Sequence, residues 1–149
     1  YRRSVPTQQG QTADYSAKDL MLIALETPDC RYICRRTKPG AVLVNDRELH
    51  ASFLLGPNIL LEDWSLRLPA SATAADWQPV LDLKPSVFIL GTGDTQVFPE
   101  PKHMAFFLQR GIGFEAMDNA AAARTFNVLA QEGRNVVAGF VIQTEITSP

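Results

Sequence analysis

Apolar and polar positions divide the chain into stretches of different rhythm. Over the first twenty residues, YRRSVPTQQGQTADYSAKDL, no apolar period is visible and Gln, Ser and Thr are frequent. Residues 1–20 therefore read as a flexible N-terminal arm. Met21 opens the first apolar segment and is a candidate true start, which leaves residues 21–149 as a single domain. From Arg31 to Leu61 short apolar runs are separated by turn signals. YICRR leads to Pro39-Gly40, AVLVN to an Asp46-Arg47 connection, and ELHASFLL to a break at Gly56-Pro57-Asn58, after which ILLEDW begins another run. Three or four antiparallel strands are predicted here.

The period then changes. In SATAADWQPVLDL, Trp77, Val80 and Leu81 fall at helical spacing, Thr73 and Asp76 have the spacing of a capping box, and Pro79 suits only the start of a helix. SVFIL is apolar throughout, the pattern of a strand covered on both faces in a parallel sheet. A helix follows near Pro101–Arg110 with Met104, Phe107 and Leu108 on one stripe, and IGFEAM is a second strand. NAAAARTFNVLAQEG is a strong helix with Ala122, Phe126, Leu129 and Ala130 on one face, Asp118 or Asn119 at its start and Gly133 at its end. NVVAGFVI closes the series as a third strand. Strand, helix, strand, helix, strand with short joins predicts two right-handed crossovers and a three-layer α/β core.

Composition narrows the function classes. A length of 149 residues suits one domain with a sizeable core. A net charge of −2 without a dense Lys/Arg run argues against nucleic-acid binding. No apolar run approaches the ~20 residues that span a bilayer, and the N-terminus lacks a signal-peptide pattern, so a cytoplasmic protein without an integral membrane segment is expected. Cys30 and Cys34 are the only cysteines. On a strand they would share a face roughly 13 Å apart, too far to bridge, and no nearby His completes a metal set. Two reduced thiols, no metal and no cofactor are the expectation.

In a parallel sheet the ligand crevice lies beyond the carboxyl ends of the strands. The first such end is Gly91-Thr92-Gly93-Asp94, where two glycines admit close approach and Thr92 and Asp94 add a hydroxyl and a carboxylate. The turn reads equally as a polar site and as the tight exit of a strand. A dinucleotide fingerprint would need a third glycine where Gln96 stands, and no Gly-Lys-Ser/Thr phosphate loop is present. The second strand end gives Asp118, more naturally a helix cap than a catalytic acid, followed by Thr125 and Asn127 in an otherwise alanine-rich helix. Those two polar residues suit a helix face bordering a polar cleft, or plain solvent exposure. Gly133 reads as the C-terminal cap, with Arg134 favourable beside the carbonyl-rich terminus. No Gly-x-Ser-x-Gly elbow or His-Glu-x-x-His helix occurs, and His50 and His103 are isolated. Acid–base chemistry would rest on Asp94 or Asp118 with Thr or Asn partners, a sparse kit.

ASFLLGPN, LKPSVFILGTGDTQVFP and QRGIGFEAMDNAAAARTFNVLAQEGRNVVAGF together resemble the Mth938-like family over roughly Pro28 to Ile142. The ordered series Gly-Thr-Gly, Arg-Gly-Ile, Asp-x-x-x-Ala-x-x-Thr-Phe-Asn and Glu-Gly-Arg carries the likeness. The family holds uncharacterised bacterial proteins and a mitochondrial factor that assists assembly of respiratory complex I. The resemblance implies a three-layer fold with a mixed central sheet and a smaller antiparallel β layer. It also places shared polar positions on Gly91, Thr92, Gly93, Asp94, Thr125, Asn127 and Arg134, without a reaction. Two readings follow. One is a non-enzymatic binding or assembly module with a protein partner, linked to membrane-complex biogenesis. The other is a small-ligand binder or enzyme using a cleft at Gly91 to Asp94, with backbone N–H groups as anion donors. Exposed sheet edges in the first half make twofold self-pairing an additional expectation. Either reading expects Thr92 and Asn127 to converge on one shallow hollow.

Overall fold

The computed structural model describes residues 30–143. The arm expected over residues 1–20 lies outside the described residues. Eight strands and three helices follow in order: β1 (Cys34–Lys38), β2 (Ala41–Val44), β3 (Arg47–Leu49), β4 (Phe53–Gly56), β5 (Ile59–Leu61), α1 (Ala74–Asp82), β6 (Val87–Gly91), α2 (Pro101–Leu108), β7 (Gly113–Met117), α3 (Asn119–Gln131) and β8 (Val136–Phe140). A short 3-10 turn, Pro69–Ser71, precedes α1. β1, β2 and β3 form a small antiparallel sheet, and the other five strands form a main sheet in the order β5-β4-β8-β6-β7.

The main sheet is mixed. β6 runs parallel to both β7 and β8, whereas β4 is antiparallel to β8 and to β5. Because side chains alternate along a strand, each central strand feeds two cores. Ile89, Val136, Ala138, Phe140, Phe53 and Leu55 face one side, where α3 and the small sheet contribute Ala122, Phe126, Cys34, Val42 and Val44. Phe88, Leu90, Val137, Val141 and Leu54 face the other, under Trp64, Trp77, Val80 and Phe107. The expected three-layer α/β architecture with a smaller β layer is the observed one, and the all-apolar SVFIL run is a strand covered on both faces.

Local signals in the sequence account for most boundaries. Asp76 accepts the Thr73 N–H at 2.8 Å and closes the capping box at the start of α1. Pro79 lies inside α1, further from its start than the sequence reading allowed. At the end of α3, Gly133 takes a φ of +80°. Its N–H donates to Ala130 O at 3.0 Å and the Arg134 N–H donates to Leu129 O at 3.0 Å, the paired bonds of a Schellman ending.

Two expectations need correction. The run ELHASFLL is not one strand: β3 ends at Leu49 in the small sheet and β4 begins at Phe53 in the main sheet. Ser52 makes the crossing workable. Its buried hydroxyl accepts the Ile142 N–H at 2.9 Å and points back at Ile142 O (3.4 Å), replacing strand pairing at the point of transfer. The stripe on α2 is also different. Met104 and Leu108 are exposed, and the buried pair is His103 and Phe107. The tryptophan core selects that face, for Trp77 meets Phe107 at 5.3 Å between ring centroids and donates its indole N–H to His103 Nδ1 at 3.0 Å.

Gly139 lies under Trp64, and a Cβ there would come within 2.7 Å of two indole carbons. The indole cannot swing away freely, since its N–H donates to Asp76 O at 2.9 Å. Gly139→Ala is expected to lower stability by about 1–3 kcal/mol in urea titration.

His103 accepts a hydrogen bond on Nδ1, so the folded state holds it neutral there. Burial lowers its pKa, and Lys102 lowers it further against smaller opposing effects of Glu100 and Asp76. The unfolded chain binds a proton near an ordinary pKa of about 6.5. Stability is therefore expected to fall as pH drops below that value and to level off once the depressed folded pKa is passed. Denaturation at stepped pH should show a steeper loss for the parent chain than for His103→Gln.

Candidate functional site

The rim beyond the carboxyl ends of β6 and β7 is built on one amide. Asn119, the first residue of α3, is buried; its Oδ1 accepts the Gly93 N–H at 3.1 Å and its Nδ2 donates to Val141 O at 3.1 Å. Its own N–H donates to Gly93 O at 2.8 Å, and the Val141 N–H reaches Gly91 O at 2.9 Å. Gly91 must lack a side chain here, because a Cβ would overlap Asn119 Oδ1 and press on Phe140 and Ala122. Gly93 is in the left-handed region with a φ of +102°.

Several other groups of the turn are likewise engaged. Thr92 is buried; its N–H donates to Met117 O at 2.8 Å, its hydroxyl reaches Thr95 O at 2.7 Å and accepts the Val97 N–H at 3.1 Å. Asp118 caps α3 by accepting the Ala121 N–H at 2.8 Å. Gln96 donates to Ala116 O at 3.1 Å and covers the outer edge of β7. Asp94 is exposed, as are its neighbours Thr95 and Gln96.

The structure brings Gly91, Thr92, Gly93, Asp94 and Asp118 to one rim and leaves the other three candidates away from it. Asn127 lies eight residues along α3, about 12 Å down the helix axis. Its Oδ1 accepts the Cys34 N–H at 3.0 Å and its Nδ2 donates to Cys34 O at 2.8 Å, the two bonds that a neighbouring strand would offer β1. Thr125 donates to Met117 Sδ at 3.4 Å. Arg134 follows the far end of the helix and lines a separate open groove of about 360 Å³ with Pro57, Ile59 and Ala130 among its walls. The expected convergence of Thr92 and Asn127 on one hollow is therefore not what the structure shows: a continuous helix separates them, and each side chain is turned to a different backbone.

Asn119 and the groove residues other than Arg134 were missed as site components. Asn119 entered only as an alternative helix cap, and nothing in its local sequence signals that its amide reaches Gly93 and Val141. Both cysteines are free; burial pushes the Cys34 thiol up to about 12, and Cys30 donates to Ala130 O at 3.1 Å. Among the described residues no group of three or more His, Cys, Asp and Glu is placed to hold a metal ion, and no helix is long and apolar enough to cross a membrane.

Residues 34–141 match the family described as a protein of unknown function (DUF498/DUF598). The chain belongs to this family. Among solved structures, the family fold recurs in Xanthomonas campestris XCC1710, 42% identical with a TM-score of 0.72 over 82% of this chain and 92% of that one. A Bordetella pertussis protein described as a Mth938-like domain is 26% identical with a TM-score of 0.66 over 78% of this chain and 89% of that one. The Mth938-like resemblance read from the sequence is thereby established. Among curated proteins, the chain is similar to the Bos taurus NADH dehydrogenase (ubiquinone) 1 alpha subcomplex assembly factor 3. The two are 27% identical over 129 residues, 85% of this chain and 69% of that protein.

The close fit between Gly91 and Asn119 sets a test by double-mutant cycle. Gly91→Ala and Asn119→Ala are each expected to cost about 1–3 kcal/mol in denaturant titration, one by overlap and one by leaving Gly93 N–H and Val141 O unpaired. The double variant should fall short of the sum by about 1 kcal/mol, because removing the amide removes the overlap.

Proposed function

We propose that this protein is a non-enzymatic binding module that serves the assembly of a larger complex, with a protein partner. The observation that carries this reading is how the polar groups of the rim are used. The N–H groups of Thr92, Gly93 and Val97, which an anion or oxyanion site would need, are already bonded to Met117 O, Asn119 Oδ1 and Thr92 Oγ1. Asp118 is engaged as a cap. Large apolar side chains, by contrast, stand in solvent: Phe98, in the loop that leaves the rim, is 79% exposed, and further along the same crossover Met104 and Leu108 form an exposed i, i+4 pair on α2. An apolar surface beside a self-satisfied polar loop suits a protein contact better than turnover of a small molecule.

The likeness to a complex I assembly factor supports the same reading and suggests that the assembly served is a respiratory complex. We place the protein in the cytoplasm, where the unpaired thiols of Cys30 and Cys34 would remain reduced.

In-cell photo-crosslinking tests the reading. A photoreactive phenylalanine analogue replacing Phe98 is expected to give discrete protein adducts that co-migrate with assembly intermediates. The same analogue at Gln78, exposed on α1, should give none. Equal labelling at both positions, or only free chain at Phe98, would refute it.

A further inference from the structure

Four strand edges leave the two sheets, and three carry a covering or deterring device. The amide of Asn127 occupies the outer backbone of β1 at Cys34. Gln96 and Thr92 bond to carbonyls at the end of β7. β3 presents Arg47 and Glu48, charges of the kind that deter pairing, each held in an ion pair. β5 has no such device among the described residues. Among those residues it pairs only with β4, and its side chains Ile59 and Leu61 are 38% and 36% exposed.

The 360 Å³ groove opens at the Ile59 end of this strand. Pro57, Ile59 and Ala130 give it apolar walls, and Asn58, Asn135 and Arg134 give it polar ones. One cationic residue lines it, and the backbones of two more are tied to its walls. Arg134 lines the groove itself. Arg31 is tied to its wall through N–H bonds to Pro57 O at 2.8 Å and Asn58 Oδ1 at 3.3 Å. Lys84 is tied through its carbonyl, which accepts from Asn135 Nδ2 at 2.7 Å. None of the three meets a carboxylate within ion-pair distance among the described residues. The acidic residues nearest Arg134 and Lys84 in the chain are Glu132, exposed beside Gly133, and Asp82, which accepts from Gln78 at 2.9 Å.

Resting on the binding-module reading, we infer that β5 and the Arg134 groove form a docking site for an extended acidic segment of a partner protein. Such a segment adds to β5 through backbone hydrogen bonds, seats one apolar side chain between Ile59 and Ala130, and brings a neighbouring carboxylate to Arg134. The division of labour is that of strand addition, where the edge supplies affinity and side-chain pockets supply choice. β5 spans only Ile59–Leu61, so its backbone contributes few bonds and the guanidinium must select. A planar fork that binds carboxylate through two parallel N–H groups suits that task.

The probe is a fluorescein-labelled peptide reading Thr-Glu-Val-Asp-Val-Thr, titrated onto the full chain by anisotropy and by amide chemical-shift mapping. The same peptide with lysine in place of both acids is the control. Saturable binding of the acidic peptide alone is expected, with shifts confined to residues 57–61 and 130–135. Arg134→Glu should weaken it at least about tenfold, and Arg134→Gln should weaken it less, with unchanged circular dichroism in both. No saturable binding, shifts centred elsewhere, or equal affinity in Arg134→Glu would overturn the inference. So would protection, in the free protein, of the β5 amides that face away from β4, whether a concentration-dependent mass assigns the cover to a second copy or a constant monomer mass assigns it to the chain's own residues. A discrete adduct through Phe98 alongside a silent β5 would remove this site and leave the binding-module reading standing.

Discussion

One buried amide holds together the rim beyond the carboxyl ends of β6 and β8. Asn119 is bonded at once to the turn after β6 and to the residue after β8, while its backbone opens α3. The ends of two parallel strands, β6 and β8, and the start of the helix that leads into β8 thus meet at the same side chain. Each bond contributes on the order of 1 kcal/mol net, but loss of the amide would strand a buried N–H and a buried carbonyl, which is the costlier consequence. The geometry admits only glycine at position 91, because the space of a Cβ is already taken by the amide oxygen. Gly91 is thus dictated by tertiary contact, whereas Gly93 answers to its own backbone angle.

That stitch changes what the Gly-Thr-Gly turn means. Glycine-rich turns at strand ends often expose backbone N–H groups to a ligand. Here they are turned inward, and the loop then folds back to bond Ala116 and Met117 at the edge of β7. Asn127 does for the small sheet what this loop does for β7, offering a side-chain amide in place of a neighbouring strand. Asn127 and Gln96 therefore serve as edge closures. They keep two sheets of unequal size from presenting open backbone, a recurrent hazard of β structure.

Much of the architecture was legible beforehand, for local physical reasons. The Thr73–Asp76 box, the Asp118 cap, the glycine ending of α3 and the all-apolar strand β6 each depend on residues close in sequence, where spacing alone is informative. The failures share the opposite property. Residues 48–55 alternate well enough for one strand, and only the buried Ser52–Ile142 bond, ninety residues apart, reveals that the chain changes sheets there. On α2, Met104 and Leu108 are as apolar as Phe107. The choice of buried face is made by Trp77, which needs His103 as an acceptor. The candidate site was legible as a rim but not as a constellation. Strand ends can be read from sequence, whereas the reach of Asn127 to Cys34 is a long-range contact without a local signature.

The same distinction limits what family membership conveys. A motif whose polar atoms are bonded to its own backbone marks a way of folding rather than a reaction. Gly91, Thr92, Gly93, Asp118 and Asn127 are of that kind in this chain. The scaffold itself recurs at 26% identity. Specific activity must then reside in atoms the scaffold leaves unengaged. Among the described residues those are the exposed side chain of Phe98 after the rim and, at the opposite end of α3, the edge of β5 and the guanidinium of Arg134 in the groove beside it. Both are surfaces suited to contact with another polypeptide.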